Sequence, residues 1–171
     1  MQSRLKYLLI IILAIFQLSF FKGLGQPWHH INLLLCATIF WIMYGGIEEN
    51  FSPIIAGALI LDLFNGHIFG TAALSIFFTC FLVNLTYLRV FTNQSLAALL
   101  ALGAIGILLY NFFIAVFFYF FYWINVSRYY IFIDAKYWNN LIWQIIFISM
   151  ILTIFYRLSD LKFIKNKFLN R

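Results

Sequence analysis

A single carboxylate stands inside an apolar stretch of this chain, and its side chain is the one that most invites chemistry. Asp62 lies near the middle of residues 57–70, a hydrophobic run that closes with a glycine-bounded turn. An ionised carboxylate at the centre of a membrane helix costs about 2.5–3.5 kcal/mol, so its presence needs a compensating role. Proton or ion carriage would require further ionisable groups, and the apolar segments offer at most the amides of Asn84, Asn111 and Gln144. A relay is therefore disfavoured.

Other residues that often carry catalysis do not form a recognisable constellation. Adjacent side chains such as His29 and His30 do not share one face of a helix, and His67 stands apart from them. The carboxylates of Glu48 and Glu49 diverge for the same reason. The sequence contains no Ser-His-Asp pattern and no glycine-rich phosphate loop. We therefore expect no enzymatic activity, no metal and no cofactor.

Helix packing gives Asp62 a better explanation. Ala58, Asp62 and Gly66 are spaced i, i+4 and i+8, and Asn65 lies beside them, so they form a narrow stripe of small and polar groups. Small residues let helix backbones approach closely, and polar groups form hydrogen bonds across the contact. We expect Asp62 to be buried in a helix contact or to cap the short turn. Burial favours the neutral form of a carboxyl, which would then donate a hydrogen bond.

The elements that position these residues are membrane helices. The chain has 171 residues, of which 65% are hydrophobic and 9% charged, whereas soluble domains carry about 25% charged residues. We predict an all-α integral membrane protein with one domain (1–171) and a basic cytoplasmic tail (158–171). Apolar runs of spanning length predict six transmembrane helices, at residues 5–21, 31–46, 51–65, 69–90, 95–123 and 138–157.

The basic residues predict the orientation of these spans. With the amino terminus inside, the cytoplasmic side holds Arg4, Lys6, Arg89, Arg157, Lys162, Lys165, Lys167 and Arg171. The outer side then holds Lys22, Arg128 and Lys136. This asymmetry favours a multi-pass protein with both termini in the cytoplasm. The positive charge collects at segment ends and in the tail, which suits anionic membrane lipids rather than nucleic acid.

One segment has a more specific pattern. It reads Gly57-x-x-x-Leu61-Asp62-Leu63-Phe64-x-Gly66-x-x-x-Gly70-x-x-Ala73-Leu74. This pattern resembles the central signature of the MreD family of bacterial rod shape-determining membrane proteins. Length, an uncleaved first span and a basic tail also resemble that family. The resemblance implies a structural or interaction motif made of Gly57, Ala58, Leu61, Asp62, Leu63, Asn65, Gly66 and Gly70.

The resemblance also implies a function and partners. MreD-like proteins are non-enzymatic subunits of the cell-elongation (rod) complex in the bacterial plasma (inner) membrane. They bind an MreC-like scaffold protein and through it are linked to MreB filaments, a RodA-type glycosyltransferase and its transpeptidase. The implied role is to support side-wall peptidoglycan synthesis and rod cell shape. The implied fold is similar to the substrate-binding subunits of energy-coupling-factor transporters.

That fold similarity leaves an alternative function open. The protein would then be a small-molecule (vitamin-class) binding subunit of a membrane transporter. Such a subunit needs a polar pocket near the outer surface. The residues that would contribute to it are Asp62, Asn65, His67, Arg128 and Asp134.

Overall fold

The protein is built from α-helices joined by short connections. The computed structural model describes residues 2–21, 23, 31–48, 50–65, 68–91, 93–126 and 134–169, with side chains between residues 6 and 159 apart from that of Asn65. The helices are α1 (Gln2–Phe16, continued by a π-helical turn, Gln17–Phe21), α2 (Leu33–Gly45), α3 (Phe51–Asn65), α4 (Thr71–Val90), α5 (Leu96–Trp123) and α6 (Ala135–Leu169). The all-α prediction is confirmed for this part of the chain.

Three of these helices are long and apolar enough to cross a membrane. They are Thr71–Val90, Leu96–Trp123 and Ala135–Ser159. The other apolar helices are shorter and cover Lys6–Phe21, Leu33–Gly45 and Phe51–Phe64. Large apolar side chains such as Leu8, Phe81 and Met150 are exposed on the outer surface. A surface of this kind suits hydrocarbon better than water, as expected of a membrane protein.

Helix α2 is the centre of the molecule. It contacts each of the other five helices, and nine of its thirteen residues are buried. Its residues are apolar on every side, which is typical of a helix that is surrounded by others. The hydroxyl of Thr38 donates to the carbonyl of Leu34 at 2.7 Å, so this buried polar group is satisfied within the helix.

Two glycines allow α5 to approach its neighbours. A Cβ added at Gly106 would lie 2.7 Å from Cδ1 of Ile39 in α2, and one at Gly103 would lie 2.6 Å from Cδ1 of Leu152 in α6. Real Cβ atoms do not come so close to other atoms, so the absence of a side chain is what permits these contacts. The two contacts fix the level at which α5 meets α2 and α6.

Candidate functional site: the capped hairpin of α3 and α4

Asp62 binds the first turn of the following helix with both carboxylate oxygens. Oδ1 accepts a hydrogen bond from the backbone N–H of Ala72 at 2.8 Å, and Oδ2 accepts one from the N–H of Ala73 at 2.8 Å. The Asp62 side chain is only 4% exposed. The structure thus shows both roles that the sequence allowed: Asp62 is buried where α3 meets α4, and it caps the helix that follows the turn. In both of these hydrogen bonds Asp62 is the acceptor, and the donor role expected from burial stays a prediction.

The geometry follows from what a helix start requires. The first N–H groups of a helix have no partner within it and form the positive end of the helix dipole. Gly70, the residue before α4, has no side chain that could cap them. Asp62 supplies the acceptors from α3 instead. A carboxyl group fits this position because each of its two oxygens can accept a hydrogen bond from a backbone N–H.

The turn between the two helices depends on a glycine. Gly70 has φ 96° and ψ −16°, a left-handed conformation that residues with a Cβ seldom adopt. The Thr71 hydroxyl then donates to the carbonyl of Ile68 at 2.8 Å and closes the turn. Gly66, the other glycine that bounds the turn, lies outside the described residues.

The remaining motif residues divide between two faces of α3. Ala58 and Leu61 are buried with Asp62. For Ala58 this burial agrees with the predicted stripe of small and polar residues. A Cβ at Gly57 would overlap Cγ2 of Ile10 and lie 2.9 Å from Cδ1 of Leu34, so Gly57 allows α1 and α2 to pack against α3. Leu63 is 66% exposed and points away from these contacts. The side chain of Asn65 is outside the described part.

A second capped helix start lies close to this hairpin and was not predicted from the sequence. Asn32 accepts from the N–H of Leu35 at 3.0 Å, and Oε1 of Gln17 accepts from the N–H of Leu34 at 3.1 Å. Both side chains therefore cap α2. Asn32 precedes an apolar run, the usual position of a capping residue, and this signal would have found it. Gln17 has no such signal because its role depends on the π-helical turn.

Tyr110 of α5 lies near both caps, with its hydroxyl close to the side chains of Asn32 and Asp62. The end of the bundle that holds the starts of α2 and α4 therefore contains a small polar cluster, whose described members are Gln17, Asn32, Asp62 and Tyr110. In each cap, side-chain oxygen atoms accept hydrogen bonds from backbone N–H groups at a helix start. The cluster therefore has a structural role.

Two amides that the sequence offered as helpers of Asp62 have another partner. Nδ2 of Asn111 donates to Oε1 of Gln144 at 2.9 Å and to the carbonyl of Ile107 at 2.9 Å. The amides therefore join α5 to α6, as polar groups between membrane helices do. No proton pathway from Asp62 through these amides is formed by the described hydrogen bonds.

The acids of the alternative pocket are also used for capping. Asp134, at the start of α6, accepts from the N–H of Tyr137 at 2.8 Å through Oδ1. His67 and Arg128, which would complete such a pocket, lie outside the described residues, as do His29 and His30. Among the residues that the structure describes, no three His, Cys, Asp or Glu side chains come together as a metal-binding group.

Comparison with known proteins does not add a family to this picture. The chain has no significant match to a protein-family model, a curated protein or a solved structure. The site therefore has to be interpreted from its own geometry. That geometry is a buried carboxylate that holds one helix end against another.

Proposed function

We propose that this protein is a non-enzymatic membrane subunit of the bacterial cell-elongation complex and that it binds an MreC-like scaffold protein. The observation that carries the proposal is the α3–α4 hairpin. The carboxylate of Asp62 uses both oxygens to cap α4, and Gly57 and Gly70 allow the contact and the turn. The segment that resembles MreD therefore serves to hold α3 and α4 in a hairpin. Such a structural role is what an adaptor subunit without catalytic activity requires.

The proposal includes six membrane spans. Helix α2 contacts all the others, α3 also packs against α4, and α1 packs against α2 and α3, so the six helices form one bundle. An even number of spans puts both termini on one side, and the excess of Lys and Arg there favours the cytoplasm. Helices of 13 and 15 residues are roughly 20 and 22 Å long, less than the roughly 30 Å of hydrocarbon. The bilayer must accommodate this difference where it meets the short helices.

Copurification tests the partner. The chain is tagged and expressed in its own bacterium together with the MreC-like protein, and the two are extracted in mild detergent. We expect them to elute together and expect deletion of this protein to convert rods into rounded cells. Asp62→Ala should weaken the association by loosening the hairpin, whereas Leu88→Ala, a truncation at an exposed residue of α4 outside the motif, should leave it intact. Failure to coelute, together with normal rods after deletion, would refute the proposal.

The transporter alternative calls for a separate measurement. A panel of vitamin-class molecules is added to the purified protein and the thermal unfolding temperature is measured. A ligand at 100 times its Kd would stabilise the protein by about 2.7 kcal/mol, which such an assay detects easily. We expect no stabilisation, because Asp62 and Asp134 already accept backbone hydrogen bonds. A clear shift would favour the transporter subunit instead.

A further inference from the structure

The helices do not end at one level on the proposed cytoplasmic side. Phe51 is the first residue of α3, and its ring meets the ring of Phe77 in α4 edge to face, with centroids 5.5 Å apart. Helix α4 continues for thirteen residues beyond Phe77, as far as Val90. At 1.5 Å per residue, α4 runs roughly 20 Å past the residue that meets the start of α3. The reach of two phenylalanine side chains accounts for only part of that length.

Contacts with α2 provide a second, independent comparison. Gly57 of α3 lies against Leu34, and Gly106 of α5 lies against Ile39, one and a half turns further along α2. Helix α3 has six residues before Gly57, whereas α5 has ten before Gly106. With the helices treated as parallel rods, α3 therefore begins roughly 13 Å short of α5. Both comparisons put the start of α3 well inside the bundle.

The start of α3 lies beside Tyr7 of α1. The hydroxyl of Tyr7 donates to Oγ of Ser52 at 2.7 Å, so the second residue of α3 is level with a residue that lies five positions after α1 begins at Gln2. The neighbouring residues at this level are charged: Lys6 precedes Tyr7, and the exposed Glu48 precedes α3. Polar and charged groups thus mark the inner edge of the apolar surface on this side of the molecule.

Along α4 and α6 the charged residues lie further toward the cytoplasm. Gly103 contacts Leu152, so α6 reaches Arg157 near the level at which α5 begins. Arg89 occupies the last turn of α4. Both arginines are exposed. Along α4, α5 and α6 the apolar surface therefore continues roughly 10 Å further toward the cytoplasm than it does along α1 and α3.

We propose that the bilayer is locally thinned where it meets α1 and α3, so that phospholipid headgroups of the inner leaflet reach the level of the Tyr7–Ser52 pair. Charged groups seek the headgroup layer, and a bilayer adapts to a short apolar surface at a cost of fractions of a kcal/mol per ångström. We assign this surface to lipid because the side chains of α1 that follow Tyr7 toward the membrane interior, Leu8 and Ile12, are apolar and more than half exposed. The inference rests on the proposed membrane placement and is independent of the proposed partner.

Spin labels at three exposed positions test whether the bilayer is thinner beside α1 and α3 than beside α6. Leu8→Cys on α1 and Ile146→Cys on α6 lie at the same level along the bundle, by the contacts of their helices with α3 and α5. Leu158→Cys lies further toward the cytoplasm, roughly 18 Å beyond Ile146. The natural Cys36 and Cys80 are buried and do not compete for label. Each full-length variant is placed in phosphatidylethanolamine–phosphatidylglycerol vesicles, and label depth is measured from collisions with oxygen and with a water-soluble nickel complex.

A thinned bilayer makes the Leu8 label roughly 10 Å shallower than the Ile146 label, although the two lie at the same level along the bundle, and the Leu158 label is the shallowest of the three. Equal depths for Leu8 and Ile146, with Leu158 shallower, would overturn the local thinning while leaving the membrane placement intact. An immobilised Leu8 label that oxygen does not reach would replace lipid by a covering protein segment. If the Ile146 label collides with nickel as freely as Leu158 does, the membrane placement itself fails.

Discussion

Replacing Asp62 by alanine should destabilise the protein through the start of α4. The carboxylate is the partner of two backbone N–H groups, those of Ala72 and Ala73, and both residues are buried. A buried donor that loses its partner costs about 1–3 kcal/mol. After some relaxation of the turn we expect a loss of about 2–4 kcal/mol. For a protein of this size that corresponds to a Tm decrease of roughly 5–15 °C.

The asparagine variant distinguishes a two-acceptor cap from a simple polar contact. Asp62→Asn keeps one oxygen that can accept from one N–H, but its NH2 group must face the other N–H and cannot accept from it. We therefore expect Asp62→Asn to lie between wild type and Asp62→Ala, with a loss of about 1–3 kcal/mol.

The assay is thermal unfolding of the purified full-length protein in mild detergent. After heating to each temperature, the protein that remains folded is quantified by size-exclusion chromatography. Leu63→Ala is the matched control, because Leu63 neighbours Asp62 on the same helix but is exposed. The expected order of Tm is wild type and Leu63→Ala together, then Asp62→Asn, then Asp62→Ala. If Asp62→Ala has the same Tm as the Leu63→Ala control, Asp62 does not stabilise the start of α4. If Asp62→Asn has the same Tm as wild type, one acceptor oxygen is enough.

Three further substitutions, measured by the same unfolding assay, examine the surrounding contacts. Gly57→Ala should cost about 1–3 kcal/mol because its Cβ overlaps Ile10, and an unchanged Tm would mean that α1 yields freely. Gly70→Ala should cost about 1 kcal/mol or more because of its left-handed backbone, with no steric contribution since no atom lies within 4 Å of the added Cβ. Asn111→Leu should cost about 0.6–1.7 kcal/mol. The double variant with Gln144→Leu should lose less stability than the sum of the losses of the two single variants. Additive losses would show that the two amides are not energetically coupled.

Much of the candidate site could be predicted from sequence, since its signals are local. The spacing of Ala58 and Asp62 predicted a shared buried face, and the structure buries both. Gly70 was predicted to bound a turn, and its backbone conformation requires glycine there. The neutral, donating form of Asp62 that burial suggested stays a prediction, and the structure adds two hydrogen bonds in which its oxygens accept. The partners of the carboxylate lie ten and eleven residues further along the chain and become visible only when α4 is folded back on α3.

What the sequence by itself determined is the class of structure. Long apolar runs broken by polar turns predict helices that can leave water, because backbone hydrogen bonds inside each helix are satisfied locally. Only the tertiary structure decided how those helices are aligned. The pairing of Asn111 with Gln144, and the start of α3 deep inside the bundle, depend on which side chains fit beside Gly57, Gly103 and Gly106. Such fits are contacts between distant segments, and hydropathy along one segment carries no information about them.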